Sequence, residues 1–159
     1  ASGLNDGFIQ NKNIEYICYH HEQAAGHAAI GESKYTGKIA VVNPTTGCGG
    51  TNCMTSVLNA WQDSVPVLFI SGNVRRDSCT YHIKSAKGLN LRKYGVQENN
   101  ILASIAPITK TFAFVDNPAD IDYYLTTTID SMTSGRPGPG WLDVPADVQN
   151  AICEAIKSK

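Results

Sequence analysis

Several kinds of pattern are missing from this sequence of 159 residues. The longest apolar run, Val65–Ile70, is six residues, far short of the roughly 20 needed to cross a bilayer, so no membrane segment is expected. The first residues, Ala1–Asp6, have neither a basic nor an apolar region, and no signal peptide is expected. No excess of positive charge exists: 13 basic against 14 acidic residues leave a net charge of −1, which provides no electrostatic footprint for nucleic acid. Charge of either sign is scarce, at 17% against about 25% in ordinary soluble domains. So thin a charged coat suggests that a partner covers part of the surface. No Cys-x-x-Cys occurs among the five cysteines. Cys18, Cys48, Cys53, Cys79 and Cys153 therefore read as free thiols in a reducing, cytoplasm-like compartment, with no metal site.

What is present is an alternation of short apolar runs with helix-period segments. Strands are expected at Ile14–Cys18, Lys38–Val42, Pro66–Ser71, Lys110–Val115 and Trp141–Val144. Helices are expected at Glu22–Tyr35 (stopped by Gly37), Thr51–Gln62, Gln97–Ser104, from the Asn117-Pro118 cap to Met132, and Ala146–Ile156. The basic stretch Gly72–Gly95 lacks periodicity and reads as an irregular loop with room for one short helix. Strands and helices at this spacing make βαβ units and a mostly parallel sheet covered on both faces, an α/β fold in three layers. The length suits a single domain spanning 1–159.

Two junctions are placed for chemistry, because ligands in open parallel sheets sit where strands end and helices begin. His20-His21-Glu22-Gln23 is one. On spacing alone, a glutamate there reads first as a first-turn residue stabilised by the helix dipole, and the adjacent histidines make a poor metal pair. The other is Gly47-Cys48-Gly49-Gly50. It is neither a dinucleotide fingerprint nor a Walker loop, and by itself it is simply a tight turn. The small residues Ala25, Gly26, Ala28 and Ala29 allow close helix packing, either on the sheet or against another subunit.

Together these blocks carry a resemblance. His21–Ala29, Gly37–Val41 and Thr45–Asn52 occur in order with Ala60–Gly72, Gly95–Glu98, Pro107–Lys110, Gly135–Pro139 and Leu142–Pro145. The whole resembles the pyrimidine-binding domain of thiamine-diphosphate-dependent enzymes, especially acetolactate synthases and the acetolactate-synthase-like proteins of polysaccharide biosynthesis. The resemblance implies that Glu22 hydrogen-bonds N1′ of the cofactor's aminopyrimidine and so promotes loss of the C2 proton. A dry site that raises the Glu22 pKa would help it share that proton. It further implies that Thr45, Cys48, Asn52 and Gln97 line the pyrimidine pocket, and that the helix after Glu22 packs at a dimer interface.

Two departures bear on pocket shape. Gly47-Cys48-Gly49 stands where the family commonly has Gly-Pro-Gly, and Asn43-Pro44 should end its strand early. The family holds the diphosphate through Mg²⁺ on a separate domain with a Gly-Asp-Gly segment, which this sequence does not contain. The resemblance also implies a flavin-binding middle domain, and a first strand and helix ahead of the position of Ala1, which are not expected within these 159 residues.

The resemblance thus implies the pyrimidine-binding half of an acetolactate-synthase-like carboligase or decarboxylase acting on 2-oxo acids. Such a half would be inactive alone and would work as a homo-oligomer or with a complementary diphosphate-binding domain. The alternatives are a non-catalytic interaction module derived from that domain and, more weakly, a nucleotide-binding domain using the Gly47–Gly50 turn.

Overall fold

The computed structural model describes residues 2–153. Four strands, β1 (Ala40–Val42), β2 (Val67–Asn73), β3 (Thr111–Phe114) and β4 (Gly140–Pro145), form one sheet in the order β1-β2-β4-β3. Every pairing is parallel, with Val41 opposite Leu68, Ser71 opposite Asp143 and Ala113 opposite Leu142. β2 is buried along almost its whole length and β4 entirely, which explains their unbroken apolar reading.

Chain direction across the sheet decides which face each helix takes. From β1 to β2 the chain crosses by α3 (Cys48–Asn52) and α4 (Met54–Gln62), and from β2 to β3 by α5 (Thr80–Lys87) and α6 (Ile101–Ile105). α2 (Glu22–Thr36), α4 and α6 cover one face, where Ile30, Val57 and Ile105 pack on Phe69, Trp141 and Phe114. Between β3 and β4 the direction of travel reverses. A right-handed crossover then requires the connecting helix to lie on the other face. There α7 (Ile121–Thr133) packs Leu125 and Met132 on Leu68 and Leu142. The three layers expected from the sequence are present.

α2 starts at Glu22 and ends where Gly37 takes the left-handed conformation, φ 71°. Its small face closes on α4: a Cβ on Gly26 would lie 1.9 Å from Ser56 Oγ. β1 stops at Val42, just before Asn43-Pro44, as the proline requires.

Several expectations differ from the structure. Ile14–Cys18 is not a strand: residues 11–20 are irregular and exposed throughout. A strand needs a ladder partner, and none of the described segments pairs with it. The segment expected as one helix from Thr51 begins at Cys48 and is divided at Cys53. In place of a helix from Gln97, α6 begins only after Asn100, whose side chain accepts from Ala103 N. The cap at Asn117 opens a short 3₁₀ turn, Pro118–Asp120, before α7. The last helix, α8, covers only Ala146–Gln149; the remainder of the expected span, from 154, lies outside the described residues. The helix α1 (Ser2–Gln10) was not foreseen: among residues 3–10 only Gly3, Leu4 and Phe8 are even partly covered, and its side-chain hydrogen bonds to the rest of the chain are with Gln149 of α8 and Asn43. No described helix is long and apolar enough to cross a membrane.

Candidate functional site

The carboxyl ends of the parallel strands make the site. After β1 the chain turns through Thr45–Gly47 into α3, while α2 brings its first residue, Glu22, to the same place. Gly47 is required there twice over. Its φ is 61°, and a Cβ would lie 2.0 Å from the Gln97 carbonyl oxygen. The segment before α6 is thereby pressed against the turn.

Glu22, Cys48, Gly49, Thr51 and Asn52 line an open cleft of about 400 Å³. Asn52 Nδ2 donates to Glu22 Oε2 at 2.7 Å and lies 3.4 Å from His21 Nε2. A Cβ on Gly49 would come within 3.3 Å of Glu22 Oε1 and 2.6 Å of Thr45 Cγ2, so the glycine keeps the space over the carboxylate clear. Beneath it, Cys53 Sγ approaches the Glu22 carbonyl at 3.7 Å, and burial pushes that thiol up to about 12.

The Glu22 carboxyl is held below the usual carboxylate range, chiefly by the Asn52 hydrogen bond, with its own backbone N–H and the His21 charge adding to the effect. The raised pKa that a dry site would give is therefore not what this chain has. The cleft is open to water, and a donated hydrogen bond stabilises the charged form.

Of the residues singled out from the sequence, Glu22, Cys48 and Asn52 meet in the cleft. Thr45 sits beside it, its methyl group against Gly49. Gln97 approaches by its backbone, which packs on Gly47, while its side chain is exposed. Gly49 and Thr51 join the lining without having been chosen; both lie inside the glycine-rich block, which was the available signal. Thr51 Oγ1 donates to the Cys48 carbonyl at 3.1 Å. Among the described residues no group of three or more His, Cys, Asp or Glu side chains is placed to hold a metal ion.

A larger groove of about 710 Å³ lies at the other end of the sheet, lined by Trp61, Lys110 and Arg136 among others. Its cations are already engaged: Lys110 with the Ser134 carbonyl, and Arg136 Nε with Ser64 Oγ at 2.6 Å.

Comparison with known proteins decides the family. Residues 1–100 match the thiamine pyrophosphate enzyme, N-terminal TPP binding domain. The chain belongs to this family. It is 37% identical over 151 residues to the acetolactate synthase large subunit of Corynebacterium glutamicum, covering 95% of this chain and 22% of that protein. It is 38% identical over 147 residues to the acetolactate synthase of Arthrospira platensis, 92% of this chain and 23% of the relative. The acetolactate synthase large subunit of Lactococcus lactis is 36% identical over 145 residues, 91% and 23% respectively. This TPP-binding domain thus spans less than a quarter of each of these relatives.

Proposed function

We propose that the chain is the pyrimidine-binding half of an acetolactate-synthase-like carboligase or decarboxylase acting on 2-oxo acids, and that it is inactive without a diphosphate-binding half. The observation that carries this reading is the Glu22–Asn52 pair beneath a glycine: an ionised carboxylate, oriented by a carboxamide, with room left above it. A flat nitrogen heterocycle that must share a proton fits such a cradle.

Glu22 is then the catalytic residue, holding or moving a proton at the ring nitrogen. Asn52 fixes its rotamer, Cys48 and Thr45 form the walls beside the glycines, and Gln97 lies at the rim. Thiamine diphosphate, when bound, supplies the electron sink for breaking or making a bond beside a keto carbon. Its Mg²⁺–diphosphate end would belong to the complementary domain, which in the resemblance carries the Gly-Asp-Gly segment that this sequence does not contain. A second domain closing the cleft would exclude water and raise the Glu22 pKa toward the value useful for proton sharing.

The covering surface is either a second copy or the complementary domain. The exposed apolar side chains Tyr35 on α2 and Leu58 and Trp61 on α4 support contact through these helices. The five free thiols suit a reducing, cytoplasm-like compartment.

Calorimetric titration of thiamine diphosphate with Mg²⁺, into the chain alone and into the chain mixed with a diphosphate-binding domain from a homologous enzyme, tests the proposal. Binding should be weak alone and at least tenfold tighter in the mixture. No binding in the mixture would favour a non-catalytic interaction module. Preferential binding of a nucleotide would favour the third reading.

A further inference from the structure

The block Leu142-Asp143-Val144-Pro145 has a structural consequence that reaches the cleft. In the register of β2 and β4, Ser71 lies opposite Asp143 and Asn73 opposite Pro145. Side chains two apart along a strand share a face, so Ser71, Asn73, Trp141 and Asp143 all point toward the layer of α4 and α6. There Asp143 is buried, 2% exposed. No described Lys or Arg pairs with it; the charged partners in the structure's ion pairs lie elsewhere.

With Asp143 ionised, its hydrogen bonds form a chain with one sense. Trp141 Nε1 donates to Ser71 Oγ at 2.9 Å, and Ser71 Oγ donates to Asp143 Oδ1 at 2.7 Å. Asn73 Nδ2 donates to Asp143 Oδ2 at 2.6 Å. A carboxylate only accepts, so the Asn73 carboxamide cannot be turned over. Its oxygen must face the other way, where it accepts from Val74 N at 2.8 Å and from Thr46 Oγ1 at 3.1 Å. Thr46 belongs to the turn between Thr45 and the cleft glycines. A backbone bond, Gly72 N to the Pro44 carbonyl at 3.2 Å, ties the start of the same turn to β2.

We propose that Asp143 is a positioning residue: through Asn73 it orients the acceptor that holds Thr46, and so fixes the turn that shapes the cleft around Glu22. The consequence for cofactor binding rests on the reading of that cleft given above; the effect on the turn does not. A structural role alone would be served at least as well by an apolar side chain, because a buried carboxylate without a cation is costly. What an apolar side chain could not do is dictate which way Asn73 faces.

The arrangement is also sensitive to pH near neutrality. Burial raises the Asp143 pKa to about 7, with the Glu98 charge adding and the Ser71 and Asn73 bonds opposing. The titratable groups facing it are Glu98, before α6, and the buried Cys79 at the start of α5; β2 contributes the neutral Ser71 and Asn73. Glu98 is itself held by Thr80 N at 3.1 Å and Thr80 Oγ1. Protonation turns one Asp143 oxygen into a donor: at Oδ1 the Ser71 hydroxyl can turn to accept it, whereas at Oδ2 it opposes the Asn73 N–H and so bears on the side chain that holds Thr46.

Amide hydrogen exchange and NMR on the whole chain test the proposal. In Asp143→Asn, exchange at Thr51, whose N donates to the Gly47 carbonyl of the turn at 3.0 Å, should rise at least tenfold while Phe69 and Leu142 in the sheet hold their protection. In the unmodified chain the turn amides should shift together with the Asp143 carboxyl carbon near pH 7, and this shift should persist in Glu22→Gln but vanish in Asp143→Asn. If Asp143→Asn does not fold, Thr46→Val carries the test: it should loosen the turn while the Asp143 carboxyl still titrates. Unchanged exchange at the turn, or a rise spread evenly over the sheet, overturns the proposal. Thiamine diphosphate binding to the mixture with a diphosphate-binding domain is read separately. If the variants loosen the turn but the unmodified mixture binds no cofactor, the positioning role stands and the reading of the cleft fails.

Discussion

Asn52 Nδ2 donates to Glu22 Oε2 at 2.7 Å, joining the last residue of α3 to the first residue of α2. The bond explains how an open cleft holds its carboxylate in one place. It also sets the carboxylate's charge, because a donor aimed at an ionised oxygen stabilises the ionised form.

Removing that donor should therefore be visible in the titration of Glu22. Asn52→Ala should raise the Glu22 pKa toward the ordinary carboxylate value, since the Asn52 bond is the largest cause of its lowering. Carbon-detected NMR of the side-chain carboxyl between pH 2 and 7 measures this. An unchanged or lower pKa would show that Asn52 does not govern the charge.

The crossing of α2 over α4 provides a contrast between two glycines of one helix. A Cβ on Gly26 would lie 1.9 Å from Ser56 Oγ, whereas one on Gly31 would meet nothing within 4 Å. Gly26→Ala should destabilise the chain by about 1–3 kcal/mol through overpacking. Gly31→Ala should stabilise it by about 0.5–1 kcal/mol by limiting the unfolded backbone. Urea unfolding midpoints that moved in the same direction for both would contradict the packing account.

The sequence made the layers readable because helices and buried strands carry their own periodicity. α2 was legible from Glu22 to its Gly37 stop, and β2 from its unbroken apolar run. Ile14–Cys18 was misread because a strand is a property of a pair: composition proposes it, but the backbone needs a neighbour with free donors and acceptors. The Glu22, Cys48 and Asn52 grouping was legible only through the family resemblance. Nothing local ties a first-turn glutamate to an asparagine thirty positions later. The Asp143 relay was harder still, since its logic lies in the direction of each hydrogen bond across three strand ends. The lowered Glu22 pKa was missed because the expectation assumed a closed site.

Burial of Asp143 gives stability a recognisable pH dependence. Its folded pKa, about 7, lies above the unfolded value of 3.8, so between these values the folded state holds more protons than the unfolded one. This contribution is fully present below the unfolded value and is lost as pH rises through about 7. The difference in unfolding free energy between the unmodified chain and Asp143→Asn should therefore shift against the unmodified chain from pH 4 to pH 7 and level off above. A difference independent of pH would contradict the buried-acid account.

The cysteines should divide by burial. Cys53 is pushed up to about 12 and Cys79 higher still, both chiefly by burial, while Cys18, Cys48 and Cys153 are exposed. The thiolate is the reactive form, so iodoacetamide at pH 7.5 should label three sites quickly and reach the other two only in denaturant. Rapid labelling of Cys53 in the folded chain would show that the floor of the cleft is open.

The measurement that bears most directly on the central claim is exchange of the C2 proton of thiamine diphosphate. The chain is combined with a diphosphate-binding domain from a homologous enzyme, and deuterium incorporation is followed by NMR after acid quenching. Glu22→Gln is nearly isosteric and keeps an oxygen able to accept from Asn52, so fold and assembly should survive. Exchange should fall at least a hundredfold, because an amide cannot share the ring-nitrogen proton. If the Glu22→Gln mixture exchanges as fast as the unmodified one, Glu22 is only the acidic first residue of α2, and the catalytic reading of the cleft is wrong.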